Sequence, residues 1–170
     1  LEKAMAKYYG TYAALETGFV HFALQDLTGG ESEAISITQS SRGSNKQLFW
    51  TKLMRYKLNR YLLGASTVSG DAADREVLDS GLVFGACYVV LRVLEFDGLR
   101  LLQLRNPPGD HGEWKGDWGD DSPLWNRRMK AKLGWSDDEE DGCFFMSFDD
   151  FCTNFKTLYV GRYYDPEKWQ

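Results

Sequence analysis

The 170 residues suit one ordinary domain, and 43% hydrophobic with 15% aromatic content excludes an intrinsically disordered chain. Twenty basic residues against 25 acidic ones give a net charge of −5, which disfavours nonspecific attraction to nucleic-acid phosphates. No apolar run approaches the roughly 20 residues that a membrane helix needs.

The chain opens on Leu1-Glu2-Lys3-Ala4, which does not resemble a signal peptide and reads like the start of an excised segment. Ala, Met and Lys predict a helix over Glu2 to Tyr9, ended by Gly10, and a short turn around Tyr12 to Leu15 follows. The clearest helix signal is Ser44-Asn45-Lys46-Gln47, a capping-box pattern. Leu48, Phe49, Leu53, Met54 and Leu58 then form one apolar face, and the helix is expected to stop near Gly64, after Leu62 and Leu63.

Cys87 to Phe96 and Leu99 to Arg105 are rich in Val, Leu and Tyr, and Asp97-Gly98 between them is a type I′ turn signal, so a hairpin is predicted. Pro107-Pro108-Gly109 ends it. A loop of about 35 residues is expected next, carrying Trp114, Trp118, Trp125 and Trp135, and a loop this long is usually functional or tied down. A strand at Cys143 to Met146, a helix capped by Ser147 with Phe148, Phe151 and Phe155 facing inward, and a last strand from Leu158 to Tyr163 complete the chain. Helices first and antiparallel strands later imply an α+β fold.

Candidates for acid-base chemistry are few. Cys87, Cys143 and Cys152 show no Cys-x-x-Cys spacing, so neither a zinc site nor a disulfide framework is expected, and reduced, mostly buried thiols in a cytoplasmic protein are. His21 and His111 are the two histidines, and neither sits in a pattern that would deliver an imidazole to a nucleophile.

Two segments carry a family likeness: Gly81-Leu82-Val83-Phe84-Gly85-Ala86-Cys87-Tyr88 and Leu104-Arg105-Asn106-Pro107-Pro108-Gly109. They resemble the second half of the calpain protease core, where the first reads Gly-Leu-Val-x-Gly-His-Ala-Tyr and the second Arg-Asn-Pro-Trp-Gly. Glu113-Trp114-Lys115-Gly116-Asp117-Trp118, Asp26-Leu27-Thr28-Gly29-Gly30 and Asp141 through Phe148 extend the resemblance over nearly the whole chain in the family's order. It implies a papain-like cysteine protease fold, of which this chain is the C-terminal antiparallel β-barrel-like half with flanking helices. It also implies one domain over residues 1–165, residues 166–170 starting a linker, and an N-terminal cysteine-bearing subdomain as partner.

On this resemblance Ala86 stands where the catalytic histidine belongs, and Asn106 stands where the orienting asparagine does. A cysteine hydrolase needs its imidazole to draw the thiol proton and later to protonate the leaving amine, and alanine does neither. Asn106 then has no ring to orient. Pro108 replaces the tryptophan that shields the pair, so base and shield are lost together. Cys87 is not a displaced nucleophile, because successive strand residues face opposite sides and Ala86 takes the cleft side.

Calcium is the cofactor that the resemblance implies. The matching positions are Glu113, Asp120 and Asp141 for carboxylates, with carbonyls from near Glu139 and Cys143. Without the likeness, the run Asp137 to Asp141 reads as a solvated charged turn. The expectation is therefore a non-proteolytic calpain-like subdomain. Its rivals are a fragment of an active calpain carrying an engineered change at 86, and a calcium-responsive or cytoskeletal interaction module.

Overall fold

The computed structural model describes residues 1–15, 18, 20–67, 76–106, 113–135 and 142–162. α1 (Glu2–Tyr9), closed by Gly10 at φ 94°, and a 3₁₀ turn at Ala13–Leu15 stand where the helix-favouring composition predicts. Next come α2 (Val20–Thr28), β1 (Ser32–Ser36) and α3 (Ile37–Ser40), all absent from the sequence expectation. α2 buries no residue fully and is held by lying against the sheet rather than by a periodic apolar face of its own.

α4 (Asn45–Leu58) begins after Ser44 as predicted, but Ser44 has helical backbone angles and makes no side-chain cap, so the capping box is not realised. The helix ends at Leu58 rather than near Gly64. Asn59 closes it, Arg60 turns the chain at φ 58°, and Leu62–Thr67 is a strand, β2. A short apolar run such as Leu62-Leu63 serves helix and strand alike, and pairing with distant strands decides. The apolar face is also rotated: Phe49, Trp50 and Leu53 are buried, whereas Leu48, Met54 and Leu58 are exposed. Trp50 can sit inside because its indole N–H donates to Glu95 at 2.7 Å.

β3 (Cys87–Phe96) and β4 (Leu99–Arg105) form the expected hairpin, with both turn residues at positive φ, Asp97 at 50° and Gly98 at 80°. The expected long loop contains a helix, α5 (Arg127–Leu133), capped by the Asn126 side chain and ended by Gly134 in the left-handed conformation. Four of its seven residues are basic, which hid the inward pair Met129 and Leu133 one helical turn apart. β5 (Cys143–Ser147) and α6 (Phe148–Asn154) follow, with the Ser147 hydroxyl accepting the Asp150 N–H at 3.0 Å. Phe155 is buried as expected but opens β6 (Phe155–Gly161), ahead of the predicted start at Leu158.

The strands make one six-stranded sheet, in the order β1-β6-β2-β3-β4-β5, with every neighbouring pair antiparallel. Its inner face, with Leu63, Tyr88, Leu104, Phe144 and Leu158, packs on Phe49, Trp50 and Leu53 of α4 and on Phe148 and Phe151 of α6. A bulge between Val90 and Arg92 spends one residue, so that Val93 rather than Arg92 turns inward. On the outer face Leu101 and Phe145 support a second cluster made by Trp118, Met129 and Leu133. Helices flank an antiparallel sheet, which is the α+β arrangement expected. The domain boundary expected near residue 165 lies outside the described residues.

Candidate active site

One end of the sheet gathers the residues that the sequence singled out. Ala86, just before β3, packs against the inner cluster and shares that face with Tyr88. Cys87, between them, turns to the outer face, where it lines an apolar cavity of about 430 Å³ with Val20, Leu24 and Gly64. Asn106 follows the last ladder pair of the hairpin, Val89↔Arg105, and so comes level with Tyr88 on the inner face. It is 2% exposed, and its N–H donates to the Gly142 carbonyl at 2.9 Å. Ala86 and Asn106 thus share one face at one edge, offset by two residues along the ladder.

The turn leading into position 86 is held from both sides. The Thr67 hydroxyl, at the end of β2, donates to the Val83 carbonyl at 2.8 Å, and the Thr67 N–H donates to the Ala86 carbonyl at 3.1 Å. The Tyr88 hydroxyl accepts the Val83 N–H at 2.9 Å. Burial pushes the Tyr88 phenol above its ordinary pKa, an effect partly offset by that bond with Val83, so the hydroxyl keeps its proton. Gly85 takes φ 67°, which lets the backbone double back before the strand. Sequence reasoning passed over Thr67, because the helix expected there stops near Gly64 and nothing is assigned to the residues just beyond it. Its only signal is the pair of hydroxyls, Ser66 and Thr67, that closes an apolar run.

The remaining nucleophile and base candidates lie elsewhere. Burial pushes the Cys87 thiol up to about 11, only partly offset by a hydrogen bond with the Ala65 backbone, so it stays a protonated thiol at neutral pH. Cys152 on α6 is likewise raised to about 11 by burial. None of the three cysteines is joined in a disulfide, and each is partly buried. His21 is half-buried on α2 and stacks on Tyr159, with ring centroids 5.8 Å apart. Tyr159 pairs with Gly64 on the outer face, so His21 is separated from Ala86 by the sheet. Pro108 and His111 lie outside the described residues.

Beyond the hairpin, residues 113–135 are organised by their indoles. Trp114 Nε1 donates to the Asp117 carbonyl and Trp125 Nε1 to the Gly119 carbonyl, at 2.9 and 2.8 Å. Trp125 meets Trp118 and Phe145 edge-on, at 5.3 and 5.4 Å between centroids. The same segment encloses a cavity of about 450 Å³ whose lining includes Glu113, Trp114, Lys115, Asp117, Asp120 and Asp121. Glu113 and Asp120, two of the expected calcium positions, therefore face one space. Glu139 and Asp141 lie outside the described residues, and Cys143 begins β5, partly buried. Among the described residues no three acidic, His or Cys side chains are grouped closely enough to complete a metal site.

The acidic cavity and the position-86 turn are in contact. Gly81, at φ 85°, lies so close to the Glu113 carbonyl that a Cβ there would come within 1.8 Å of the oxygen. The Lys115 N–H donates to the Ser80 carbonyl at 2.9 Å.

Comparison with known proteins fits this geometry. The family model described as calpain family cysteine protease matches residues 1–162. A calpain-type cysteine protease of Zea mays, DEK1, is 44% identical over 169 residues, covering 98% of this chain. Calpain clp-1 of Caenorhabditis elegans and human calpain-14 are 34% and 36% identical, each covering 94% of this chain. The chain spans 8% of the maize protein's length, 21% of the worm protein's and 23% of the human one's.

Proposed function

The chain belongs to the calpain family of cysteine proteases, and from that premise we propose that it is the histidine-and-asparagine half of the protease core, degenerate and non-proteolytic. The observation that carries this reading is the pairing of positions at the end of the sheet. Asn106 is buried level with Tyr88, and the neighbouring place on the same face, which the resemblance gives to the imidazole, is a methyl group at Ala86. Neither Cys87 nor His21 replaces it, since one is a partly buried, protonated thiol on the other face and the other is stacked on Tyr159. With no base near 86 among the described residues, none of them can draw the proton from a cysteine supplied by the partner subdomain.

The test joins the cysteine-bearing subdomain to this chain and compares Ala86 with Ala86→His for calcium-dependent cleavage of a peptide. Both are expected to stay inactive, because the shielding tryptophan is Pro108 here. Recovery of cleavage by Ala86→His overturns degeneracy and favours the fragment of an active calpain.

The same reading gives the acidic cavity to calcium. Its oxygen-rich lining suits a hard cation, with Glu113 and Asp120 as ligands from the described residues and Asp141 with the carbonyls of Glu139 and Cys143 completing the set. Bound there, the ion would neutralise the clustered carboxylates and tie the loop to the start of β5. Millimolar calcium is then expected to raise the melting temperature, by a margin that Glu113→Gln with Asp120→Asn removes. A melting curve unmoved by calcium sinks the metal assignment. A cytoplasmic location, supported by three cysteines outside any disulfide, and a role in calcium-responsive binding belong to the same proposal.

A further inference from the structure

We propose that Thr67 and Tyr88 are positioning residues for the side chain at position 86, and that they keep this place prepared for a ring it no longer carries. The inference rests on the reading of Ala86 as the base's position and extends it to the groups that would orient the base. Aromatic rings aside, the buried polar side chains among the described residues are Thr67 and Asn106, at 1% and 2% exposure, and both stand at this end of the sheet. Burying a hydroxyl is unfavourable unless it is hydrogen-bonded, so its place in the fold is informative. Thr67 donates its hydroxyl to the Val83 carbonyl.

The other half of the Val83 peptide environment is captured by Tyr88, whose hydroxyl accepts the Val83 N–H. Its ring is fully buried and wedged edge-on between Phe144 and Phe155, at 5.8 and 5.5 Å, so the phenol has one place to reach. Side chains from two strands therefore take both backbone groups of Val83, while the Thr67 N–H takes the carbonyl of Ala86 itself. Three hydrogen bonds thus hold the turn before residue 86 and the carbonyl of residue 86 itself. A methyl group has no orientation to protect, but an imidazole does: a ring must meet Asn106 in one plane to hold one tautomer. Neither Thr67 nor Tyr88 touches a reacting atom on this reading.

The test uses the whole chain carrying Ala86→His, with histidine labelled by nitrogen-15, and follows exchange of the introduced ring N–H with water. The ring signal is assigned by difference from His21 and His111. In Ala86→His alone the ring N–H is expected to be protected by Asn106, with the protection abolished by Asn106→Ala. Adding Tyr88→Phe or Thr67→Val is expected to lower protection at least about tenfold, the effect of losing one buried hydrogen bond, while Thr67→Ser holds it within about twofold. Protection that survives both Tyr88→Phe and Thr67→Val overturns the positioning role and leaves the position-86 reading intact. A ring N–H that exchanges like free imidazole in Ala86→His with Thr67 and Tyr88 unchanged overturns both. Should Thr67→Val not fold, Tyr88→Phe decides, since it keeps the ring and its packing and removes only the acceptor.

Discussion

The two faces of the sheet are closed by different means. On the inner face, α4 and α6 lay down Phe49, Trp50, Leu53, Phe148 and Phe151, so burial comes from helices whose own hydrogen bonds are complete. On the outer face, under β4 and β5, the cover is mostly irregular chain, and its backbone must find partners one at a time. Indoles supply them: Trp125 packs edge-on against Phe145 and donates its N–H to the Gly119 carbonyl, while Trp114, whose ring packs with the inner cluster, donates to the Asp117 carbonyl of the same loop. A regular cover tolerates loss of a side chain as lost area. An irregular cover depends on single close approaches, and the site's acidic cavity is built into it.

The contrast is broken most severely at Gly81, where the tryptophan-bearing loop meets the turn leading to Ala86. Gly81→Ala places a Cβ within 1.8 Å of the Glu113 carbonyl oxygen and puts a side chain at φ 85°. The loss of stability is expected to exceed about 4 kcal/mol, measured by urea unfolding. A loss below about 1 kcal/mol means that the loop moves freely against the turn.

A smaller effect is expected at Trp125, whose replacement separates area from bonding. Trp125→Phe keeps an edge-on ring against Phe145 but strands the Gly119 carbonyl, at an expected cost of about 1–3 kcal/mol. If the variant is as stable as the parent, the outer cover is held by apolar area alone and the contrast with the inner face disappears.

The smallest effect concerns the stretch of the outer face between α2 and the tryptophan cover, where Cys87 lines its cavity. Burial raises this thiol from its ordinary 9.0 to about 11, so the native state keeps a proton that the unfolded chain releases. Stability from this group is therefore complete below about pH 9 and declines as pH rises toward 11. By pH 10 the loss is at most about 1.4 kcal/mol, the worth of one displaced pH unit. Cys87→Ala should flatten the pH dependence of the melting temperature over that range. An unchanged slope would place the thiol in water.

Local chemistry was legible in the sequence where neighbours along the chain decide the conformation. The Asp97-Gly98 turn can be read because both positions need positive φ, and the Ser147 cap because its oxygen reaches an N–H three residues away. The alanine at 86 and the asparagine at 106 are likewise sequence facts. Tertiary structure decided the rest. Leu62 to Thr67 is a strand because β3 and β6 pair with it, and α4 turns Trp50 inward because Glu95 of β3 meets its indole N–H. The ties that fix position 86 reach it from Thr67, a strand away, and from Tyr88 through a phenol bent back on its own chain. No local pattern encodes such bonds, because their partners become neighbours only when the sheet has formed.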